Sequence, residues 1–455
     1  MNATATNRVS VEPGGAGVVA HVGLHALGAF ADRLRLGSLL SSRIVPRGER
    51  SPLHDRGRVL THMALVIAGG GESCADVEYL RLQRDLFGFV ASDSTVHRMF
   101  HELDPATLKD LGGATAQVRE HVWDRLGITA AKDPVFLDID ATLLQVHSEN
   151  KQNAAPTYKK TYGFHPMLCF ADATGEALSG ILRPGSDGAN TVADHVSVLD
   201  DAIAQLPEAI RAGHHVDDEA SLVQRVLVAR ADSAGCTEGF RQACRARNVG
   251  FYVTVRSNEQ VMSAVFVAEG CDVWLPALTQ DGELRVGAAV AELTSLIDTS
   301  SLPEGTRFIV RREPLHPGAQ RSLIPSLEFR YWGFYTDQPG DPRDLDVTMR
   351  AHAHVENHIQ RLKDSGLTSM PFTNFAANQA WLFAVRLAGD LVRWFQLLCL
   401  EGPWKNARPK TMRWGLFHAP GRLIHSSRQI VVRVIEGWPA TDALLRAYRS
   451  VALLT

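Results

Sequence analysis

Six cysteines stand at 74, 169, 236, 244, 271 and 399, and none forms a C-x-x-C pair. A disulfide framework or cysteine-built zinc site is therefore not expected, and reduced thiols in a cytoplasmic protein are. No G-x-x-x-x-G-K-[ST] occurs, so Gly69-Gly70-Gly71 reads as a helix stop rather than a phosphate cradle. The most apolar stretch, Trp381 to Leu400, is interrupted by Arg386, Asp390 and Arg393. It reads as a packed helix, and no membrane partner is expected. The first twenty residues lack the basic start and apolar run of a secretion signal. There is no internal repeat and no low-complexity tract.

What is present is ordinary in bulk and uneven in distribution. With 455 residues, 45% apolar and 21% charged, the chain suits a soluble protein of two or three domains. The net charge of −3 conceals an asymmetry. From Gly402 to Thr455 nine Lys or Arg face only Glu436 and Asp442, so the remaining 401 residues carry a net −10. A cationic tail on an acidic body suits a polyanionic partner, although a solvated basic surface would give the same count.

The pattern along the chain divides it into five regions. Residues 1–130 read as a helical N-terminal region, with apolar periodicity through Val59-Leu60, Met63-Ala64 and Val66-Ile67, then a helix over Asp76–Arg84. Within it, Ser92-Asp93-Ser94-Thr95-Val96-His97-Arg98 has a capping residue opening a short helix. His97 and Arg98 point outward, as in a helix-turn-helix DNA reader. Residues 131–257 carry strands ending at Asp140, then Phe164–Phe170 and Ala177–Leu182 about the turn Asp172-Ala173-Thr174-Gly175. A helix from Asn190-Thr191, the apolar strand Val226–Ala231, a helix Gly239–Arg247 and a strand Phe251–Val255 follow. The order βββαβαβ is that of a ribonuclease H-like α/β core. Residues 258–340 read as a β-rich insertion, with strands at Ala264-Val265-Phe266-Val267, Val273-Trp274-Leu275, Arg307–Val310 and Phe334-Tyr335. Residues 341–400 complete the core with a helix Met349–Asp364 and a second, Asn374–Leu400. Residues 401–455 form a basic, helical C-terminal region.

Two strands stop on carboxylates: Val135-Phe136-Leu137-Asp138-Ile139-Asp140 and Val226-Leu227-Val228-Ala229-Arg230-Ala231-Asp232. Alternation puts Phe136, Asp138 and Asp140 on one face. Either aspartate is a candidate metal ligand, and Asp140 is favoured because it stands where the site should open. Asp138 is then a supporting group. In the later helix, Val355, Ile359 and Leu362 make an apolar stripe, while His352, Glu356, Gln360 and Lys363 share the adjacent one. A carboxylate with a lysine two turns on can hold a metal and a phosphate. Carboxylates without histidine or cysteine suit Mg²⁺, and two such ions roughly 3.5–4 Å apart serve phosphodiester chemistry. His354 and His358 have a zinc-compatible spacing, but Val355 stands where the H-E-x-x-H motif needs glutamate. Trp274 and Trp332 are candidates for stacking an extruded base, or for core packing.

These segments resemble the DDE transposases of bacterial insertion sequences, in the group with a β-strand insertion before the glutamate. The resemblance rests on Asp140-Ala141-Thr142, on Arg230 to Ser233, and on Glu356 to Lys363. Gly163-Phe164-His165-Pro166 and Leu182-Arg183-Pro184-Gly185 also match, and the likeness runs from about Gly69 into the C-terminal region. It implies that Asp140, Asp232 and Glu356 bind two Mg²⁺ ions (Mn²⁺ able to substitute) and are the catalytic acids. The signature Y-x2-R-x3-E-x6-K would end on Glu356 and Lys363. Met349 and His352 replace its tyrosine and arginine, leaving Arg350 or Arg361 to supply the missing cation.

The expected function is therefore cut-and-paste DNA transposition. Metal-dependent cleavage at terminal inverted repeats would be followed by strand transfer to target DNA, with Lys363, Arg361, Arg350, His352, Arg98 and His97 contacting DNA. The resemblance further implies a homodimer pairing both ends and a bacterial, nucleoid-associated setting. The competing class is an inactive, domesticated transposase that only binds DNA, and the retention of all three carboxylates weighs against it.

Overall fold

The computed structural model describes residues 13–45, 52–315, 329–426 and 429–454. Residues 1–12 of the segment read for a secretion signal, and 316–328 of the insertion, lie outside the described residues. Among those described, no helix is long and apolar enough to cross a membrane.

The N-terminal part is helical: α1 (Val22–Arg33), α2 (Arg56–Ala68), α3 (Asp93–Glu102) and α4 (Pro105–Arg125). Side-chain caps set their starts. Asp55 accepts from the Arg58 amide at 2.8 Å, Ser92 from Thr95 at 3.4 Å and Asp104 from Thr107 at 2.9 Å. Gly69 closes α2. The helix expected over Asp76–Arg84 is instead a 3-10 turn, Cys74–Val77, followed by one α turn, Glu78–Arg81.

A nine-stranded sheet forms the centre. β1 (Val135–Ala141) is flanked on one side by β2 (Met167–Ala171) and β3 (Glu176–Ile181), in an antiparallel meander. The turn into β3 needs Gly175. Its φ is +71°, and a Cβ there would stand 2.8 Å from the His358 ring. The strand expected as Phe164–Phe170 is divided at His165-Pro166, because proline has no amide to continue a ladder. After α5 (Val192–Ala204) comes β4 (Leu227–Ala231), parallel to β1 and buried throughout. α6 (Glu238–Arg245) leads to β5 (Val249–Val255), parallel to β4.

The insertion corrects one expectation. Ala264–Val267 is not a strand but part of α7 (Glu259–Glu269), capped by Asn258. Buried Val261, Ala264, Val265 and Ala268 repeat at helical spacing, while Phe266 and Val267 are exposed. The remaining strands, β6 (Leu275–Leu278), β7 (Leu284–Glu292), β8 (Arg307–Pro314) and β9 (Phe329–Thr336), make no separate sheet. β9 pairs antiparallel with β5, giving the order β6-β7-β8-β9-β5-β4-β1-β2-β3.

The two faces bury different neighbours. Leu227, Ala229, Phe251 and Val253 pack in the main core. Val228 and Tyr252, on the opposite face, pack with Ile309 and Phe334 against Leu345 and Met349 of α8 (Pro342–Arg350). The single helix expected over Met349–Asp364 is broken. A 3-10 turn, Ala351–Ala353, separates α8 from α9 (His354–Leu362), and a wide turn through Gly366, φ +87°, ends it. α10 (Phe375–Cys399) follows. The C-terminal region is not purely helical. Gly421–Ser426 and Gln429–Val434 form a hairpin that pairs with Val18–Val19, before α11 (Thr441–Leu453).

Of the charged residues that interrupt α10, buried Asp390 and half-buried Arg386 bond β3, and half-buried Arg393 donates to the Thr174 carbonyl at 2.9 Å in the turn before it. Asp390 accepts from the Ala177 amide at 2.7 Å, Arg386 donates to the Ala177 and Leu178 carbonyls, and Gln379 accepts from Leu182 at 2.6 Å. Arg119 of α4 joins this group. It pairs with Glu176 at 2.8 Å and Asp390 at 2.7 Å, while Trp123 and Trp394 each donate to Glu176 at 2.6 Å. Arg119→Leu leaves two buried carboxylates without their cation, and should cost about 3–5 kcal/mol. Urea unfolding followed by tryptophan fluorescence measures this loss, and Trp123 and Trp394 report on the site itself.

Candidate active site

The parallel register of β1 and β4 pairs Asp138 with Arg230 and Ile139 with Ala231, so Asp140 and Asp232 emerge side by side at the next position. These two rungs have opposite electrostatics. The inner rung is an ion pair and the outer one joins two carboxylates, an arrangement that is unfavourable across strands without a cation.

The inner rung is fully buried. Arg230 grips both oxygens of Asp138, with Nε and Nη2 each at 2.8 Å, and its guanidinium lies 4.7 Å from the Phe136 ring. Nη2 also reaches Asp172 at 2.7 Å, and Nη1 donates to the Thr348 carbonyl at 2.8 Å. Asp138 is shared with His352 Nδ1 at 2.8 Å, and Asp172 with His354 Nδ1 at 2.9 Å. Burial opposes the Asp172 charge, but Arg230 and His354 outweigh it and hold that carboxyl below its usual range. The end of α8, the 3-10 turn and the start of α9 are thus all fastened to one arginine and two aspartates. This clamp sets α9 over the acidic end of β1.

At the outer rung each aspartate anchors one oxygen to the backbone. Asp140 Oδ1 accepts from Ala141 at 2.7 Å, and Asp232 Oδ1 from Ala234 at 2.8 Å. Burial, then the charge of Asp232, and more weakly that of Glu356, push the Asp140 carboxyl up to about 6. Glu356 is exposed on α9, one residue after the buried Val355. Lys363, at the end of α9, is half-buried. Burial lowers its ammonium from the ordinary value, and Asp140 acts in the opposite sense. Asp140 therefore lies within electrostatic reach of Asp232, Glu356 and Lys363 at the C-terminal ends of β1 and β4.

The donor set at that point is carboxylate oxygen, which suits a hard divalent cation. The raised Asp140 value reflects burial first and the like charges of Asp232 and Glu356 second, and such a cation would relieve that repulsion. Among the described residues, no three His, Cys, Asp or Glu side chains already stand at metal-ligating separation. Seating an ion requires adjustment of Asp232 and Glu356, both exposed.

The other candidates are dispersed. His352 is buried under the site on Asp138. Arg350 pairs with Asp346 at 2.9 Å and donates to the Leu278 carbonyl. Arg361 turns away from the acids, donating to Gln396 at 2.7 Å and Ala407 at 3.1 Å. Burial, with Arg393 and Arg408 nearby, lowers it to about 10. His97 and Arg98 are exposed on α3, with His97 stacked on His101 at 4.4 Å. Trp274 is half-buried beneath Arg312, 4.4 Å from its ring, and Trp332 is 38% exposed with Arg311 at 4.9 Å. His354 and His358 do not converge: His354 holds Asp172, whereas both ring nitrogens of His358 are buried without a hydrogen bond.

Sequence reasoning missed Arg230 and Asp172 as supports. A signal existed, since Arg230 precedes Asp232 by two as Asp138 precedes Asp140, and equal spacing in parallel strands makes paired rungs. His165, buried within electrostatic reach of Asp232, stood in the Gly163–Pro166 match without being singled out, and buried His195, likewise near Asp232, and Lys159, near Lys363, had no comparable signal.

A family model described as Transposase DDE domain group 1 matches residues 1–455. No curated protein matches the chain. Among solved structures, it is similar to a piggyBac transposase synaptic complex with hairpin DNA, at 9% identity and a TM-score of 0.38. That match covers 95% of this chain and 80% of the other.

The Asp140 value carries a sign that can be measured. A carboxyl whose folded value, about 6, exceeds its ordinary 3.8 favours folding while protonated, and that contribution is lost as pH rises through about 6. In EDTA at pH 7.5, Asp140→Asn should melt higher than the wild type by roughly 1–3 °C. The advantage should vanish near pH 4. Mg²⁺ should raise the melting temperature of the wild type at pH 7.5 and not that of the variant.

Proposed function

The chain belongs to the transposase family with a group 1 DDE domain, and from that premise we propose that Asp140, Asp232 and Glu356 are the catalytic acids of an active cut-and-paste transposase. The observation that carries this reading is the like-charged outer rung of Asp140 and Asp232, with Glu356 and Lys363 clamped above it. Two facing carboxylates repel, and a cation held between them relieves that cost.

The strand order β3-β2-β1-β4-β5 supports a ribonuclease H-like core, to which β6 to β9 add at one edge. The three acids would hold two Mg²⁺ ions, with Mn²⁺ able to substitute, and bound there the ions would stabilise charge on the scissile phosphate and the leaving oxygen. Asp140 and Asp232, each fixed through one oxygen to a backbone amide, keep the remaining carboxylate oxygen oriented. Glu356 approaches from α9, so its position depends on the Arg230 clamp. Lys363 would neutralise a phosphate oxygen beside the cut.

The reaction would run in two steps on DNA. Water attacks the phosphodiester at the end of a terminal inverted repeat, releasing a 3′-hydroxyl. That hydroxyl then attacks a phosphodiester of target DNA and displaces its 3′ oxygen, so no covalent protein intermediate forms. The exposed His97 and Arg98 of α3, and the cationic region after Gly402, are suited to phosphate contacts along the repeat. A homodimer pairing both ends of a bacterial mobile element, acting at the nucleoid, completes the proposal.

The test is cleavage of a duplex carrying the inverted repeat that flanks the reading frame. The wild type should cut it with Mg²⁺ or Mn²⁺ and stop on chelation. Asp140→Ala, Asp232→Ala and Glu356→Ala should fall to background while still binding DNA. Lys363→Ala should lose on the order of 10²–10³-fold in rate. A wild type that binds the repeat and never cuts would leave only the DNA-binding reading.

A further inference from the structure

The chain does not pass directly from β1 to β2. It leaves at Thr142, builds a small sheet from Leu144–Gln145, Ala155–Pro156 and Tyr162–Phe164, and rejoins at Met167. The Thr142 amide donates to the Pro166 carbonyl at 3.0 Å, closing the base of this excursion beside Asp140. The hairpin therefore rises from the acidic end of the central sheet.

Its tip is built, not slack. The Thr157 amide donates to the Thr161 carbonyl at 2.7 Å, the two hydroxyls lie 2.7 Å apart, and the Lys160 amide donates to the Thr157 carbonyl at 2.9 Å. Thr157 is buried, and Lys160 takes a left-handed φ of +60°. The arm leading to it is fastened to the segment that follows Lys363. Lys151 Nζ donates to the Met370 and Phe372 carbonyls, Gln152 N to Thr373 at 2.9 Å, and Gln152 Oε1 accepts from Phe375 at 3.0 Å. The hairpin thus spans from β1 to the segment between α9 and α10.

This rigid tip presents Tyr158, Lys159 and Lys160 to solvent, with Tyr158 69% exposed. The Tyr158 ring lies 5.9 Å from buried His165, which is itself within electrostatic reach of Asp232. Lys159 Nζ lies 5.7 Å from the Tyr158 ring, and its charge is felt by Lys363, the lysine beside Asp140. Two ammonium groups within electrostatic reach of each other have a use if an anion sits between them. An aromatic ring held out of the core at the same place has a use if a flat partner covers it.

Resting on the transposase reading, we propose that Tyr158, Lys159 and Lys363 form one grip on the DNA strand at the cleavage position. The two lysines take the phosphate oxygens next to the scissile bond, and Tyr158 stacks on the adjoining base. Stacking asks only for the π face of a base, so the grip holds the strand without reading its sequence.

The experiment uses the full chain and a duplex carrying the flanking inverted repeat, with 2-aminopurine at the nucleotide adjoining the cleavage position. Binding is read in Ca²⁺ without turnover, and cleavage in Mg²⁺ at saturating DNA. Tyr158→Ala should abolish the 2-aminopurine change and slow cleavage about tenfold to a hundredfold, with overall affinity within about threefold. Tyr158→Phe should restore both. Lys159→Ala should lower the slope of log affinity against log salt by about 0.9, the contribution of one phosphate contact. Unchanged melting temperatures show that each variant is folded. A 2-aminopurine signal that survives Tyr158→Ala, or a Tyr158→Phe as defective as alanine, overturns the inference and leaves the transposase reading standing. A wild type that binds and never cuts overturns that reading, while the fluorescence still decides the grip. A wild type that does not bind the duplex overturns both.

Discussion

One ion pair holds the acidic end of the central sheet in register. Arg230 and Asp138 face each other across two parallel strands, and every element that must meet at the acids is tied to one of them. α8 enters through the Thr348 carbonyl, the connecting turn through His352, and the β2–β3 turn through Asp172, which in turn holds His354. A buried pair of this kind is poor evidence of stability, because its desolvation cancels much of its attraction. Its value lies in geometry: planar, bidentate bonding defines an orientation that apolar packing would leave loose.

Adjacent rungs of the same two strands thus do opposite work. The inner rung neutralises itself, while at the outer rung burial and then the charge of Asp232 lift the Asp140 carboxyl. The same division recurs at the sheet's other boundary, where Arg119, Glu176 and Asp390 are buried together and matched.

Much of this was legible in the sequence, for identifiable reasons. Strands such as Val135–Ala141 and Leu227–Ala231 are short apolar runs with turn signals after them, and the ordering of strands and helices restricted the topology. Asp140 and Asp232 stood out because carboxylates rarely end buried strands without a reason, and Glu356 because it shares a helix stripe with Lys363. What failed was local ambiguity. Ala264–Val267 has strand-like composition, but its buried positions follow a helical period visible only over a longer window. The joining of β9 to β5 was hidden because strand pairing across a long insertion leaves no local pattern. Arg350 and Arg361 were candidate DNA contacts because charge is visible in a sequence and partners are not. Asp346 lies one turn before Arg350, whereas Gln396 comes from α10, far along the chain.

The bonding of α10 to β3 has a consequence for how such a sheet can change size. Arg386, Asp390 and Gln379 occupy backbone groups of β3, and a strand so occupied offers no template for another. Growth is directed to the other end, beyond β5, where four strands have been added in sequence. The sheet is thus polar in its capacity for elaboration: one end is closed by side chains, and the other accepts length without moving the residues between them. The spacing from Asp232 to Glu356 can then lengthen or shorten by whole hairpins while the acids remain where the inner rung puts them.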